Sequence, residues 1–70
     1  MSVPTLAEVL EQLRAGAAYW FGGGRWNQTF SWKDGKLMRH TFDEGLAFDE
    51  EITEADLAKA IADNPDFRRA

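Results

Sequence analysis

The stretch that decides the fold runs from residue 25 to residue 43 and reads RWNQTFSWKDGKLMRHTFD. Before the central letters KDG, aromatic side chains alternate with polar ones, as expected of a strand with one apolar face. An Asp-Gly pair flanked by such segments is a strong hairpin signal. The pattern therefore predicts a β-hairpin over residues 25–43, with Trp26, Phe30 and Trp32 on its apolar face.

Two registers of this hairpin are compatible with the sequence. A two-residue turn would place Phe30 opposite Arg39, whereas a three-residue loop over KDG would place Phe30 opposite Met38. The second register keeps apolar side chains opposite one another, so we expect it. It also places Gln28 opposite His40, and we expect a hydrogen bond between these two side chains.

A helix is predicted on the N-terminal side of the hairpin. Thr5 and Glu8 form a capping-box pattern, and Gly16 can adopt the left-handed conformation that ends a helix, so we expect a helix over residues 6–15. Residues 17–21 (AAYWF) are ambiguous. Their aromatic run favours a strand, whereas the apolar stripe of the helix would extend it to about residue 21. We favour the strand, followed by a glycine turn.

A second helix is predicted to begin at Thr53, which is followed three residues later by an acid, and to end at the Asn-Pro pair of residues 64–65. The segment before it, residues 46–51, is expected to be a loop anchored by Leu46 and Phe48. Phe67 is expected to fold back onto the core before a basic tail.

These elements predict one small α+β domain over residues 1–70, in the order α-β-β-β-α. A three-stranded antiparallel meander would pack its aromatic face on both helices. The alternative is an α-β-β-α arrangement in which the first helix extends to about residue 21.

Composition excludes several kinds of site. The chain has no Cys and one His, so neither a disulfide nor a thiolate or histidine zinc site is expected, and we expect no metal and no cofactor. No apolar stretch approaches the roughly 20 residues that cross a bilayer, and the N-terminal letters MSVP do not resemble a signal peptide. We therefore expect a cytoplasmic protein without membrane contact.

The negative charge is segregated along the chain. Between residues 40 and 58 there is no Lys or Arg, and the local charge is −7, within a net charge of −4 for the chain. Helix capping explains acids at or just before the start of the second helix, which are Glu50, Glu51, Glu54 and Asp56. The remaining acids of the segment are expected in loops. We expect the partner-binding residues to be Asp43, Glu44, Asp49, Glu50 and Glu51.

Catalysis is not indicated. A nucleophilic site would need a hydroxyl beside His40 and an orienting acid. Strand alternation is expected to send Thr29, Ser31 and Thr41 to the face opposite His40. We therefore expect no catalytic residue and no enzymatic activity.

The functional hypothesis is an acidic interaction module that docks on a basic surface of a partner that handles nucleic acids. In size and acidity the chain is similar to small phage-encoded inhibitors, including anti-CRISPR proteins, although no diagnostic motif carries that likeness. One alternative is direct nucleic-acid binding through the basic hairpin edge and the basic tail, which comprise Arg25, Lys33, Lys36, Arg39, Arg68 and Arg69. Another is a small structural or oligomerising domain. We expect the protein to be a monomer or a weak homodimer that does not bind nucleic acid directly.

Overall fold

The computed structural model describes residues 3–70, which form an antiparallel five-stranded sheet and two helices. Met1 and Ser2, on which the signal-peptide prediction partly rests, lie outside the described residues. The predicted α+β class is confirmed, with its two helices and three-stranded meander. The elements in chain order are α1 (Leu6–Arg14), β1 (Tyr19–Gly22), β2 (Trp26–Lys33), β3 (Lys36–Asp43), β4 (Leu46–Glu51), α2 (Glu54–Asp63) and β5 (Arg68–Arg69).

The sheet has the strand order β4-β3-β2-β1-β5, so the first four strands form a continuous meander and β5 returns to pair with β1. The predicted strand at residues 17–21 is confirmed as β1, and the extension of the first helix is wrong. Gly16 has a φ of 101°, which ends α1 before the aromatic run begins. The predicted loop at residues 46–51 is also wrong, because this segment is the edge strand β4.

Both helices begin at the predicted capping boxes. The Thr5 hydroxyl accepts from the backbone N–H of Glu8 at 3.2 Å, and the Thr53 hydroxyl accepts from that of Asp56 at 3.2 Å. The acid reaches back to the backbone N–H of the threonine in each case. These bonds satisfy donors that the first helical turn leaves without partners. Neither of the two described helices is long and apolar enough to cross a membrane.

The core lies between the helices and one sheet face, with Phe30 fully buried at its centre. The Phe30 ring lies 5.8 Å from the ring of Phe21 and 5.6 Å from that of Phe67, measured between centroids. Phe67 also stacks on Tyr19 at 5.4 Å, so its predicted return to the core is confirmed. The helices contribute Val9, Leu10, Leu13, Leu57, Ala60 and Ile61.

The predicted register of the β2–β3 hairpin is wrong. Phe30 lies opposite Arg39, and the turn has two residues, Asp34 and Gly35, with φ values of 53° and 77°. Positive φ at both positions gives a turn whose twist matches the flanking strands. This register places the charged Arg39 on the apolar face of the hairpin. Strand β4 compensates the charge, because Glu50 of β4 lies opposite Arg39 and forms an ion pair with it.

Candidate functional site

The β3–β4 hairpin brings the predicted partner-binding acids to one side of the sheet. Asp43 ends β3, and Glu44 lies in the two-residue turn, with a φ of 45°. Asp49, Glu50 and Glu51 follow on β4, which is the edge strand. Because β4 pairs with β3 alone, its outer side is uncovered within residues 3–70. We call this side, from β3's last residue through β4, the acidic edge.

The acids of the acidic edge do not share a face. Strand alternation places Asp49 and Glu51 on the open sheet face, away from the helices, whereas Asp43 and Glu50 lie on the face toward the helices. Glu44 lies at the tip of the hairpin. The sequence predicts that Glu50 and Glu51 precede a helix in a loop, but both residues belong to strand β4. Helix capping therefore leaves them unexplained.

An ion pair neutralises Glu50, and a histidine side chain contacts Asp49. The Arg39 guanidinium donates from Nε to Glu50 at 2.9 Å, and His40 Nδ1 lies 2.7 Å from a carboxylate oxygen of Asp49. Among the described residues, no ion pair involves the three other acids of the edge, which are Asp43, Glu44 and Glu51. The acidic edge therefore keeps an uncompensated negative charge that a cationic surface can approach.

Exposed apolar side chains lie beside these acids. Leu46 is 71% exposed, Phe48 is 51% exposed and Trp26 is 43% exposed. All three belong to the helix-facing side of the sheet, at the end that the helices leave uncovered. Trp26 therefore lies on the predicted sheet face but is not covered by the helices, and the predictions of Leu46 and Phe48 as loop anchors are wrong. An apolar patch rimmed by charge is typical of a contact surface.

The hydrogen bond predicted between His40 and Gln28 is absent from residues 3–70. The two side chains lie on opposite faces, and the Gln28 amide donates to the Thr41 hydroxyl at 3.2 Å. The predicted placement of Thr29 and Ser31 on the other face from His40 is also wrong, since Thr29 pairs directly with His40 and Ser31 is two residues further along the same strand; only Thr41 lies on the other face. However, no hydrogen bond joins Thr29 to His40 in the described chain.

The basic residues of the hairpin do not form one strip. Arg39 is held by Glu50 on the helix-facing side, and Lys33 and Lys36 pair across the β2–β3 turn. Arg25 precedes the opposite end of β2. On the open face, the Arg68 guanidinium lies 3.9 Å from the centroid of a Trp20 ring, so this basic group of the predicted tail covers an aromatic surface.

A concave apolar site lies elsewhere and was not predicted. A groove of about 410 Å³ separates the start of α1 from α2, lined mainly by Val3, Pro4, Leu6, Ile61 and Pro65. Residues 3–70 contain no group of three or more His, Cys, Asp or Glu side chains that could hold a metal ion. The acidic edge thus combines charge, apolar surface and an unpaired strand at one place.

No protein-family model, curated protein or solved structure matches the chain. The chemistry of the surface itself is therefore what indicates a function.

Proposed function

We propose that the protein is a non-enzymatic interaction module of the cytoplasm, which docks its acidic edge on a basic surface of another protein. The partner surface would be one that handles nucleic acids, since such surfaces carry clustered Lys and Arg side chains. The module would then act as a small inhibitor or adaptor by covering that surface. It would do so as a monomer or a weak homodimer.

The observation that supports this proposal is the coincidence of unpaired acids with exposed apolar side chains. Asp43, Glu44 and Glu51 carry charge that no described ion pair neutralises. Leu46 and Phe48 add apolar area beside them. Charge steers the encounter and selects the partner, whereas apolar burial holds the complex together.

Direct nucleic-acid binding has less support. The net charge is −4, and the acids lie along the sheet edge next to the hairpin that would have to approach phosphate groups. Arg39, the most central basic residue of the hairpin, is already bound to Glu50.

The test is affinity capture from a native lysate, with bound proteins identified by mass spectrometry. The test variant is D49K/E51K, which reverses two exposed acids of β4 and leaves the Arg39–Glu50 ion pair intact. The control variant is E11K/D63K, which makes the same change in net charge on the exposed sides of the helices. Both variants are first shown to be folded by circular dichroism.

The proposal expects a basic, nucleic-acid-handling protein that wild type and the control capture and D49K/E51K loses. Capture that is equal for the two variants would show that the acidic edge is not the docking surface.

A further inference from the structure

The outer side of β4 presents unpaired backbone groups in a definite pattern. In an antiparallel pair, every second residue exchanges both hydrogen bonds with its neighbour, and the residues between them direct their groups outward. The N–H of Ile52, just after β4, donates to the carbonyl oxygen of Leu37 on β3 at 3.0 Å, which fixes this alternation. Counting back along the register, Ala47, Asp49 and Glu51 direct their N–H and C=O groups away from β3.

Apart from its charged side chains, β4 lacks the structural devices that close a sheet edge. Natural edges are blunted by bulges, by proline or by very short strands. β4 has six residues, contains no proline and pairs with β3 without a bulge. A new strand can therefore add along its whole length. Leu46 and Phe48 would then be partly covered by side chains of the added strand.

The negative charge of β4 determines which kind of strand can pair with its outer side. The residues whose backbone groups point outward include Asp49 and Glu51, and their carboxylates lie on the open face beside any added strand. In a symmetric pairing of two copies of β4, these acids would lie opposite or diagonal to the same acids of the second copy. Like charges at those positions are destabilising. Lys or Arg side chains at the same positions are favoured.

We propose that β4 binds an extended basic segment of the partner protein, which adds to the sheet as a sixth strand antiparallel to β4. This inference rests on the proposed function and specifies how the acidic edge recognises its partner. Basic side chains of the segment would lie opposite Asp49 and Glu51, and apolar ones opposite Leu46 and Phe48. Because the segment runs antiparallel to β4, its N-terminal residue lies opposite Glu51. From that residue onward, the segment has the pattern basic, any, basic, apolar, any, apolar.

The test uses a synthetic peptide with this pattern, acetyl-KTKVTV-amide, and amide hydrogen exchange followed by NMR on the full chain. In the free protein, the N–H groups of Ala47, Asp49 and Glu51 should exchange faster than those of Phe48 and Glu50, which are bonded to β3. At a peptide concentration ten times Kd, exchange of the three outward amides should slow about elevenfold. The amides of Phe48 and Glu50 should change less.

Two control peptides separate this inference from the proposed function. N-methylation of the third and fifth peptide residues removes donors that face β4 and keeps the charge, so we expect binding to be lost. Equal binding of the methylated peptide, or binding of KTKVTV without protection of the outward amides, would overturn strand addition and leave charge docking in place. The second control peptide, acetyl-ETEVTV-amide, replaces both lysines by glutamate. If it bound as tightly as KTKVTV, the charge selection on which the proposed function rests would be contradicted.

Three further results test whether a basic segment pairs with β4. No binding of KTKVTV at millimolar concentration would overturn the inference. Protection of the outward amides in the free protein that rises with protein concentration would show that a second copy occupies β4. A variant A47P removes one outward N–H and no charge, and, if it folds, it should weaken binding of KTKVTV at least tenfold.

Discussion

Alanine at Gly22 is expected to destabilise the fold strongly, because the backbone there leaves no room for a side chain. Gly22 has a φ of 105°, and an added Cβ would lie 2.5 Å from the carbonyl oxygen of Trp26 and 2.8 Å from Cα of Asn27. Carbon atoms pack at about 3.5–4.0 Å, so the β1–β2 turn would have to open. Strain at such a φ costs about 1–3 kcal/mol, and overpacking costs a similar amount.

We therefore expect G22A to lower the free energy of unfolding by about 2–4 kcal/mol. That is a large part of the roughly 4–10 kcal/mol available to a chain of 70 residues. The neighbouring glycines provide matched controls, since a Cβ on Gly23 or Gly24 meets nothing within 4 Å and neither has a left-handed φ. G23A and G24A should change stability by no more than about 1 kcal/mol, and can raise it.

The assay is urea unfolding followed by tryptophan fluorescence and circular dichroism, with all three variants measured beside wild type. A slope of about 1 kcal/mol per molar urea would turn the expected loss into a midpoint shift of about 2–4 M. A G22A midpoint equal to those of G23A and G24A would refute the reasoning. It would mean that β1 does not reach Asn27 in the observed register.

Three further predictions concern the core, a helix cap and acid stability. F30A should lose about 3–5 kcal/mol of unfolding free energy in the same urea assay, because Phe30 is fully buried; a loss below 1 kcal/mol would contradict its central position. T53A should lose about 1 kcal/mol by the same measurement, because the hydroxyl caps α2; an unchanged midpoint would contradict the cap. The pKa of Asp56 is lowered chiefly by the backbone N–H of Thr53, and that of Asp66 by the backbone N–H of Gly22. Since these pKa values are lower in the folded state, the two carboxylates contribute stability at neutral pH, and this contribution is lost as pH falls below about 4. The urea midpoint of D56N/D66N should therefore fall less between pH 5 and pH 2 than that of wild type. Equal falls for the two proteins would contradict the role assigned to Asp56 and Asp66.

Local signals predicted the helices and β1 because each depends on a few neighbouring residues. The capping residues Thr5 and Thr53 bond within one turn of their own helices, so sequence spacing alone identifies both starts. Gly16 ends α1 through its own φ, which needs no tertiary contact. The aromatic run that follows packs on the core as β1, as its composition indicated.

The β2–β3 register could not be predicted locally because its decisive contact lies in another strand. Arg39 opposite Phe30 is unfavourable in an isolated hairpin, and it becomes favourable once Glu50 of β4 binds the guanidinium. β4 itself was missed because its acids are rare in strands and its apolar residues remain exposed. The Glu-Gly pair at residues 44–45, which repeats the geometry of the Asp-Gly turn, was the available signal.

The candidate site was predictable as a group of residues and unpredictable as a surface. The five acids lie close in sequence, so any fold would keep them near one another. Their division between two faces, the pairing of Asp49 with His40 and the free edge all depend on the existence of β4. The tertiary arrangement, and not composition, determines which acids remain available to a partner.

The measurement that tests the central claim most directly is the ratio of each captured protein on columns of D49K/E51K and of E11K/D63K, determined by quantitative mass spectrometry. The two columns carry the same net charge and differ in which surface is changed. We expect a basic protein whose amount falls at least tenfold on the D49K/E51K column and matches wild type on the E11K/D63K column. If the ratio between the two columns were near one for every basic protein that wild type captures, the acidic edge would not be the docking surface.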